Sequence, residues 1–162
     1  FGNLFCITQY FGNTPFSTAN PQIYNNNGHN AIDFATPIGT PIQAALSGTI
    51  LATGDTDSVG GCMNGSFGRW VMIQHYNGLN TMYAHLSTID VSKGQTVGKG
   101  QTIGLSGMTG YATGPHLHFG VYATEGTKLM TLRQNRGSKK GCADALMPVA
   151  TLTAYLNPLS YL

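Results

Sequence analysis

Five histidines, His29, His75, His85, His116 and His118, are the residues of this chain best suited to chemistry. Two of them form His116-Leu117-His118, inside the stretch Gly114 to Gly120. The residues that follow, Phe119, Val121 and Tyr122, suit a β-strand. Residues i and i+2 of a strand share a face, roughly 7 Å apart. His116 and His118 are therefore expected to point one way, and Leu117 and Phe119 the other. Such a pair can hold a metal ion, or hold one with one ring and work beside it with the second. The plainer alternative is two polar residues on a solvated face.

Six acidic residues accompany the histidines: Asp33, Asp55, Asp57, Asp90, Asp144 and Glu125. A catalytic zinc takes three protein ligands and keeps one position for water. His29 and Asp33 are four apart and can reach one ion, with His118 or His116 as the third ligand. The set His29, Asp33 and His118 is two imidazoles and a carboxylate, leaving a divalent ion with a net charge of about +1 and its Lewis acidity. The ligand types favour zinc, with iron(II) as the rival. The other histidine of the pair and His85 then suit general-base work and stabilisation of a developing oxyanion. Neither Gly-x-Ser-x-Gly nor His-Glu-x-x-His occurs.

These residues need a frame. Leu4 to Phe11 alternates as a strand does, and Cys6 within it is expected to be buried. Gly12 to Asn30 is long, polar and irregular, the pattern of a functional or disordered loop. Ile42 to Ala45, Gly48 to Thr53, Trp70 to His75, Thr81 to His85, Thr102 to Leu105 and His118 to Ala123 read as strands between turn signals. Asn77-Gly78 marks a hairpin. Lys93-Gly-Gln-Thr-Val-Gly and Lys99-Gly-Gln-Thr-Ile-Gly echo each other as two successive turns. Cys142 to Tyr155 has room for a helical turn or two, and Asn157-Pro158-Leu159 is expected to stop any helix. The expected fold is mainly β: a single domain, residues 1–162, on a largely antiparallel sheet, with little helix and long loops walling a groove.

His75 precedes the Asn77 turn and His85 lies well beyond it, so they should not share a site. His75 is expected to be a structural hydrogen-bonder, and Trp70 a core residue. Asp55 and Asp57 lie in the Gly-rich loop Gly54 to Gly68. That loop and Ser106 to Thr113 are expected at the His85 end of the sheet, walling the groove, with Tyr111 a contact.

Composition narrows the class. Glycine is 22 of 162 residues and charged residues only 9%, a mixture that suits a turn-rich β-protein and not a helical bundle. The net charge is +2, and the loose cluster Arg133, Arg136, Lys139 and Lys140 lacks the aromatic platform of a nucleic-acid surface. No run of 18 apolar residues suggests a membrane span. The chain opens on Phe1, with no visible signal segment, so a processed or truncated domain is expected. Cys6, Cys62 and Cys142 lack the Cys-x-x-Cys spacing of a zinc knuckle. In an exported protein, Cys62 and Cys142 are the expected disulfide, joining two loops.

His29-Asn30-Ala31-Ile32-Asp33, Tyr83-Ala84-His85-Leu86 and Gly114-Pro115-His116-Leu117-His118-Phe119 resemble the three motifs of the lysostaphin-type (LytM-like) zinc endopeptidases. Gly39 to Ala45 with Gly48-Thr49-Ile50, Gly94 to Gly107, and Asn157 to Leu162 are similar to that family as well, so the resemblance runs from about residue 8 to 162. It implies His29, Asp33 and His118 as zinc ligands, one zinc per chain, and His85 and His116 as the non-ligand catalytic pair. It implies hydrolysis of peptide bonds in peptidoglycan cross-links or stem peptides by zinc-activated water. A monomer is expected, acting in the periplasm, at the cell surface or outside the cell, with no nucleic-acid partner. Ala31 stands where the family often has Gly. A tyrosine ahead of the first motif often lines the family's site, and Tyr24 is the nearest candidate. Two other readings compete: a catalytically weak regulatory module of the same fold, and a lipoyl-like carrier suggested by the Lys-Gly-Gln-Thr turns.

Overall fold

The computed structural model describes residues 6–21, 24, 28–131, 133, 134 and 141–162. The described chain runs β1 (Ile7–Gln9), the short helix α1 (Pro15–Ala19), β2 (Ile32–Ala35), β3 (Pro41–Gln43), β4 (Gly48–Asp55), β5 (Arg69–His75) and β6 (Leu79–Ile89). It continues as β7 (Thr96–Val97), β8 (Thr102–Ser106), β9 (His116–Ala123), β10 (Thr127–Thr131), β11 (Leu146–Ala150) and β12 (Tyr155–Leu156). The main sheet has the order β1-β2-β9-β6-β5-β4-β7, with β8 pairing β6 and β3, and β12 pairing β9. β10 and β11 form a separate ribbon. Every pairing in both sheets is antiparallel.

Two apolar clusters follow from strand alternation. Val71, Ile73, Tyr83, Leu117, Phe119 and Val121 pack with Ile42, Ile50 and Ile103 in one. Trp70, Met72, Met82, Ala84 and Tyr122 form the other. Leu117, Phe119 and Val121 thus fill one side of β9, and His116, His118 and Tyr122 take the opposite side. Fully burying one such side chain contributes about 1.5–3 kcal/mol, so the facing of β9 is strongly fixed. A register slip of one residue would exchange the histidines for the core residues.

The turns match their chemistry. Gly78 closes the β5–β6 hairpin at φ +79°, and Asn77 Oδ1 accepts the Leu79 N–H. In the two Lys-Gly-Gln-Thr echoes, Gly94 and Gly100 both have positive φ. Gln95 and Gln101 each accept, with the side-chain oxygen, the N–H three residues earlier, at 3.0 Å. The echo is therefore one turn design used twice. His75 lies at the hairpin end, contacting the Ser47 carbonyl (2.9 Å) and the Thr81 hydroxyl (2.8 Å). Trp70 is fully buried.

Three expectations need correction. Cys6 is a free, exposed cysteine just ahead of β1, because it lies at the sheet's edge where one face of the alternation is uncovered. Within the segment Gly12 to Asn30, Thr14 caps α1: it accepts the Ser17 N–H, Ser17 returns a hydrogen bond, and Pro15 is the first helical residue. Pro158 opens a single 3-10 turn (Pro158–Ser160), capped by Asn157, where a stop was expected. Cys142 to Tyr155 holds two 3-10 turns, Cys142–Asp144 and Leu152–Ala154, separated by β11. Leu4 and Phe5, Asn25 to Asn27, and the basic residues Arg136, Lys139 and Lys140 lie outside the described residues. Among the described residues, no helix is long and apolar enough to cross a membrane.

Candidate metal centre

Strand register assembles the centre. Asp33 of β2 stands directly opposite His118 of β9, and Ala35 opposite His116. Directly opposed residues in an antiparallel pair project to the same face, so Asp33 joins the two histidines. His29 lies just before β2, where its N–H and C=O both bond to Gly12 in an isolated bridge. Gly12 adopts φ +91° to make that contact, a region open mainly to glycine.

The result is a tight convergence. His29 Nε2 lies 3.3 Å from Asp33 Oδ1 and 3.4 Å from His118 Nδ1. His118 Nδ1 lies 3.0 Å from Asp33 Oδ1. All three residues are buried, and they are the described group with metal-ligand spacing. The His29 Nδ1–H is held by the Tyr10 carbonyl at 3.0 Å, which turns an unprotonated Nε2 inward. Burial alone would raise the Asp33 carboxyl, but the His118 and His29 rings set against it outweigh burial and hold the group well below the usual carboxylate range. Burial pushes His118 down, toward the neutral ring. An ionised carboxylate with two imidazoles turned toward it is a buried pocket for which a divalent cation is the natural counter-charge. Among the described residues, buried His118 Nε2 has no hydrogen-bond partner; it lies against the Phe67 ring (centroids 5.6 Å apart).

The remaining two histidines lie alongside. His116 Nδ1–H is held by the Gly114 carbonyl (2.8 Å), and its Nε2 lies 3.8 Å from Asp33 Oδ2. His85 Nδ1–H is held by the Thr109 carbonyl (2.7 Å). The two rings stack obliquely with centroids 4.6 Å apart. Each keeps a free Nε2 lone pair, as a base requires. Burial, with the neighbouring His118 and His116, pushes His85 down to about 3.

His85 reaches this place through its backbone. β6 pairs β9 up to Ala84↔His118 and pairs β8 from Leu86↔Ser106 onward. Its pairing with β5 slips across the same point. His85 is the residue between, at φ +61°, a left-handed conformation costly for a residue with a Cβ. The bulge re-aims one side chain where the strand changes partners.

A groove of about 1130 Å³ lies over the centre. Tyr24 and Phe16 wall one part of it, and Phe67 and Tyr111 another. Tyr24 meets the His29 ring edge-on, with centroids 5.6 Å apart, and its hydroxyl bonds Gln9. Tyr111 is 44% exposed. Cys62 and Cys142 are joined by a disulfide, which ties the Gly54 to Gly68 loop to the turn before β11. Phe67, the Tyr10 and Thr109 carbonyls and Gly12 were not singled out by sequence. Three of these act through backbone atoms, which leave no side-chain signal.

The histidines buried in the neutral form make an acid prediction. For His85, His118 and His75 the folded pKa is depressed, burial being the first cause of each. Their stabilisation is complete above the unfolded value of roughly 6.5 and is lost as pH falls below it toward the folded values. Each can withdraw up to about 1.4 kcal/mol per pH unit in that window. Asp33 has the same sign at lower pH. Metal-free protein should therefore melt progressively lower from pH 7 to pH 4. A thermal-melt series after chelation checks this, and a melting temperature that holds or rises on acidification would refute it.

The sheet thus gathers two histidines and an aspartate at one point able to hold a metal ion, with two more histidines beside them. The description "Peptidase family M23" matches residues 27–130, and the chain belongs to that family. Peptidoglycan DD-endopeptidase ShyA of Vibrio cholerae is 48% identical over 91 residues, which are 56% of this chain and 19% of that protein. Glycyl-glycine endopeptidase ALE-1 of Staphylococcus capitis is 39% identical over 95 residues, 59% of this chain and 25% of that one. The chain thus spans about a fifth to a quarter of these curated relatives. The catalytic domain of the antimicrobial peptidase lysostaphin from Staphylococcus simulans is similar in structure at TM-score 0.68 and 26% identity, covering 97% of this chain and 91% of that one.

Proposed function

We propose that this chain is a zinc-dependent endopeptidase that hydrolyses peptide bonds in peptidoglycan cross-links or stem peptides. The observation that carries this reading is the convergence of His29 Nε2, Asp33 Oδ1 and His118 Nδ1, all within 3.4 Å of one another, beneath an open groove. These three residues would hold the ion. Zinc bound there supplies Lewis acidity toward a carbonyl and lowers the pKa of a water. His116 takes the proton of the attacking water at Nε2 and returns it to the leaving amine. His85, in the tautomer set by the Thr109 carbonyl, accepts a hydrogen bond from that water and aims it. It can donate to a developing oxyanion only after it gains a proton.

The groove suits an extended, uncharged peptide. Among the described residues lining it, Asp33 is the only Asp, Glu, Lys or Arg. Relatives named for a DD bond and for a glycyl-glycine bond both match the chain, and both bonds are neutral amides. Tyr24 and Tyr111 are proposed as groove contacts. The Cys62–Cys142 disulfide supports action in an oxidising place, outside the cytoplasm. The protein is proposed to work there as a monomer.

The test is metal analysis followed by digestion of defined cross-linked muropeptides, read by mass spectrometry. One zinc per chain and new free amines are expected, lost on chelation and restored by zinc. Bound zinc without amine release from any wall chemotype would favour a regulatory module instead.

A further inference from the structure

Asp57 is not proposed as a ligand, a base or a groove residue, yet each of its carboxylate oxygens accepts a backbone hydrogen bond. It lies in the β4–β5 connection and is half-buried. Its Oδ1 accepts the Asn64 N–H and its Oδ2 accepts the Gly110 N–H, each at 2.9 Å. The Gly110 N–H and the Thr109 C=O are the two ends of one peptide unit, and that carbonyl accepts His85 Nδ1–H at 2.7 Å. Carboxylate, peptide and imidazole therefore stand in series.

We propose that Asp57 is a positioning residue for His85, acting through the Thr109–Gly110 peptide; this rests on the catalytic reading of His85. Hydrogen bonds in a chain polarise one another, so a carboxylate on the N–H strengthens the carbonyl as an acceptor. The charge also fixes the peptide plane. Gly110, at φ +71°, places little steric restraint on that plane. His85 needs an external hold because its own backbone is in a disfavoured conformation.

The packing makes the arrangement specific. A Cβ at Gly110 would lie 2.2 Å from the Gly68 nitrogen, and one at Gly68 would lie 2.3 Å from the Thr109 carbonyl carbon. The two loops touch backbone to backbone, which brings Asp57 within reach. Other clasps tie the loops without involving this peptide: Arg69 N–H to Thr109 Oγ1, Thr109 Oγ1–H to the Leu86 carbonyl, and Tyr111 N–H to the Ser66 carbonyl. They should hold the loops in place when Asp57 is changed.

The experiment uses ¹⁵N-labelled, zinc-loaded protein and Asp57→Asn. The His85 Nδ1–H resonance is expected to move upfield, with zinc content and KM unchanged and kcat lowered about 10-fold or more, as for other outer partners of working histidines. An unmoved resonance overturns the proposal whatever kcat does, and so does a moved resonance with unchanged kcat. If the variant does not fold, the wild type is read for couplings across hydrogen bonds. Couplings from Gly110 N to Asp57 Cγ and from His85 Nδ1 to Thr109 C′ support the series, and absence of either overturns it. A wild type that cuts no muropeptide defeats the endopeptidase reading, while the couplings still report on the positioning.

Discussion

His118→Ala is expected to empty the metal site, while His116→Ala, two positions away on the same strand, leaves it filled. The difference lies in which nitrogen meets Asp33. His118 Nδ1 lies 3.0 Å from Oδ1, the oxygen that also meets His29, and is fully inside the convergence. His116 Nε2 lies 3.8 Å from the other oxygen, Oδ2, at its margin. Removing His118 leaves one imidazole and one carboxylate, too few for a tightly held catalytic zinc. Removing His116 takes away a proton acceptor and should lower kcat by about 10²- to 10⁴-fold. The check is zinc content after dialysis, beside hydrolysis of cross-linked muropeptides. Zinc retained in His118→Ala and lost in His116→Ala would reverse the assignment. Zinc lost in both would mean the pair acts as one ligand unit.

Opening the Cys62–Cys142 bond should have the largest effect on stability. The bridge closes a span of 80 residues, which includes β5 to β10. In the chain-entropy view, closing a loop of this length contributes roughly 4–5 kcal/mol, and measured values more often fall at about 2–4. For a chain of this size, about 3 kcal/mol corresponds to a fall in Tm of roughly 6–12 °C. The effect should also reach the groove. Cys62, Ala145 and Met147 form a small buried cluster against which Phe67 packs, and Phe67 contacts the His118 ring. A reduced protein should therefore melt earlier and cut more slowly. Melting the zinc-loaded protein with and without a phosphine reductant decides this, and coincident curves would remove the bridge from the stability argument.

The sequence was legible where side chains announce themselves. The strands follow from alternation and turn glycines, and His29, Asp33, His85, His116 and His118 were candidates by type and spacing. Three things were hidden, each for a physical reason. The left-handed φ of His85 has no sequence mark, since neither glycine nor asparagine occupies the position; it is imposed by a strand changing partners. β11 contains Pro148, which reads as a strand breaker, but among the described residues β11 pairs only with β10, in a separate two-stranded ribbon where a missing N–H is tolerated. Asp57 and Gly110 are 53 residues apart, and packing of the Gly68 backbone against Gly110 helps bring them together. The helix at Pro15–Ala19 did have a signal in Thr14-Pro15-Phe16-Ser17, and the polar bulk of the segment masked it.

The pairing Asp33↔His118 joins positions 85 apart in the chain. One of the three donors, His118, therefore arrives on a strand made long after the other two. A chain that has only its early strands in place, or that has annealed them one step out of line, offers an incoming ion a partial claw at best. The metal-ligand group thus exists only once β2 and β9 have paired in register. The same strand contact that joins β2 to the sheet brings the three donors together.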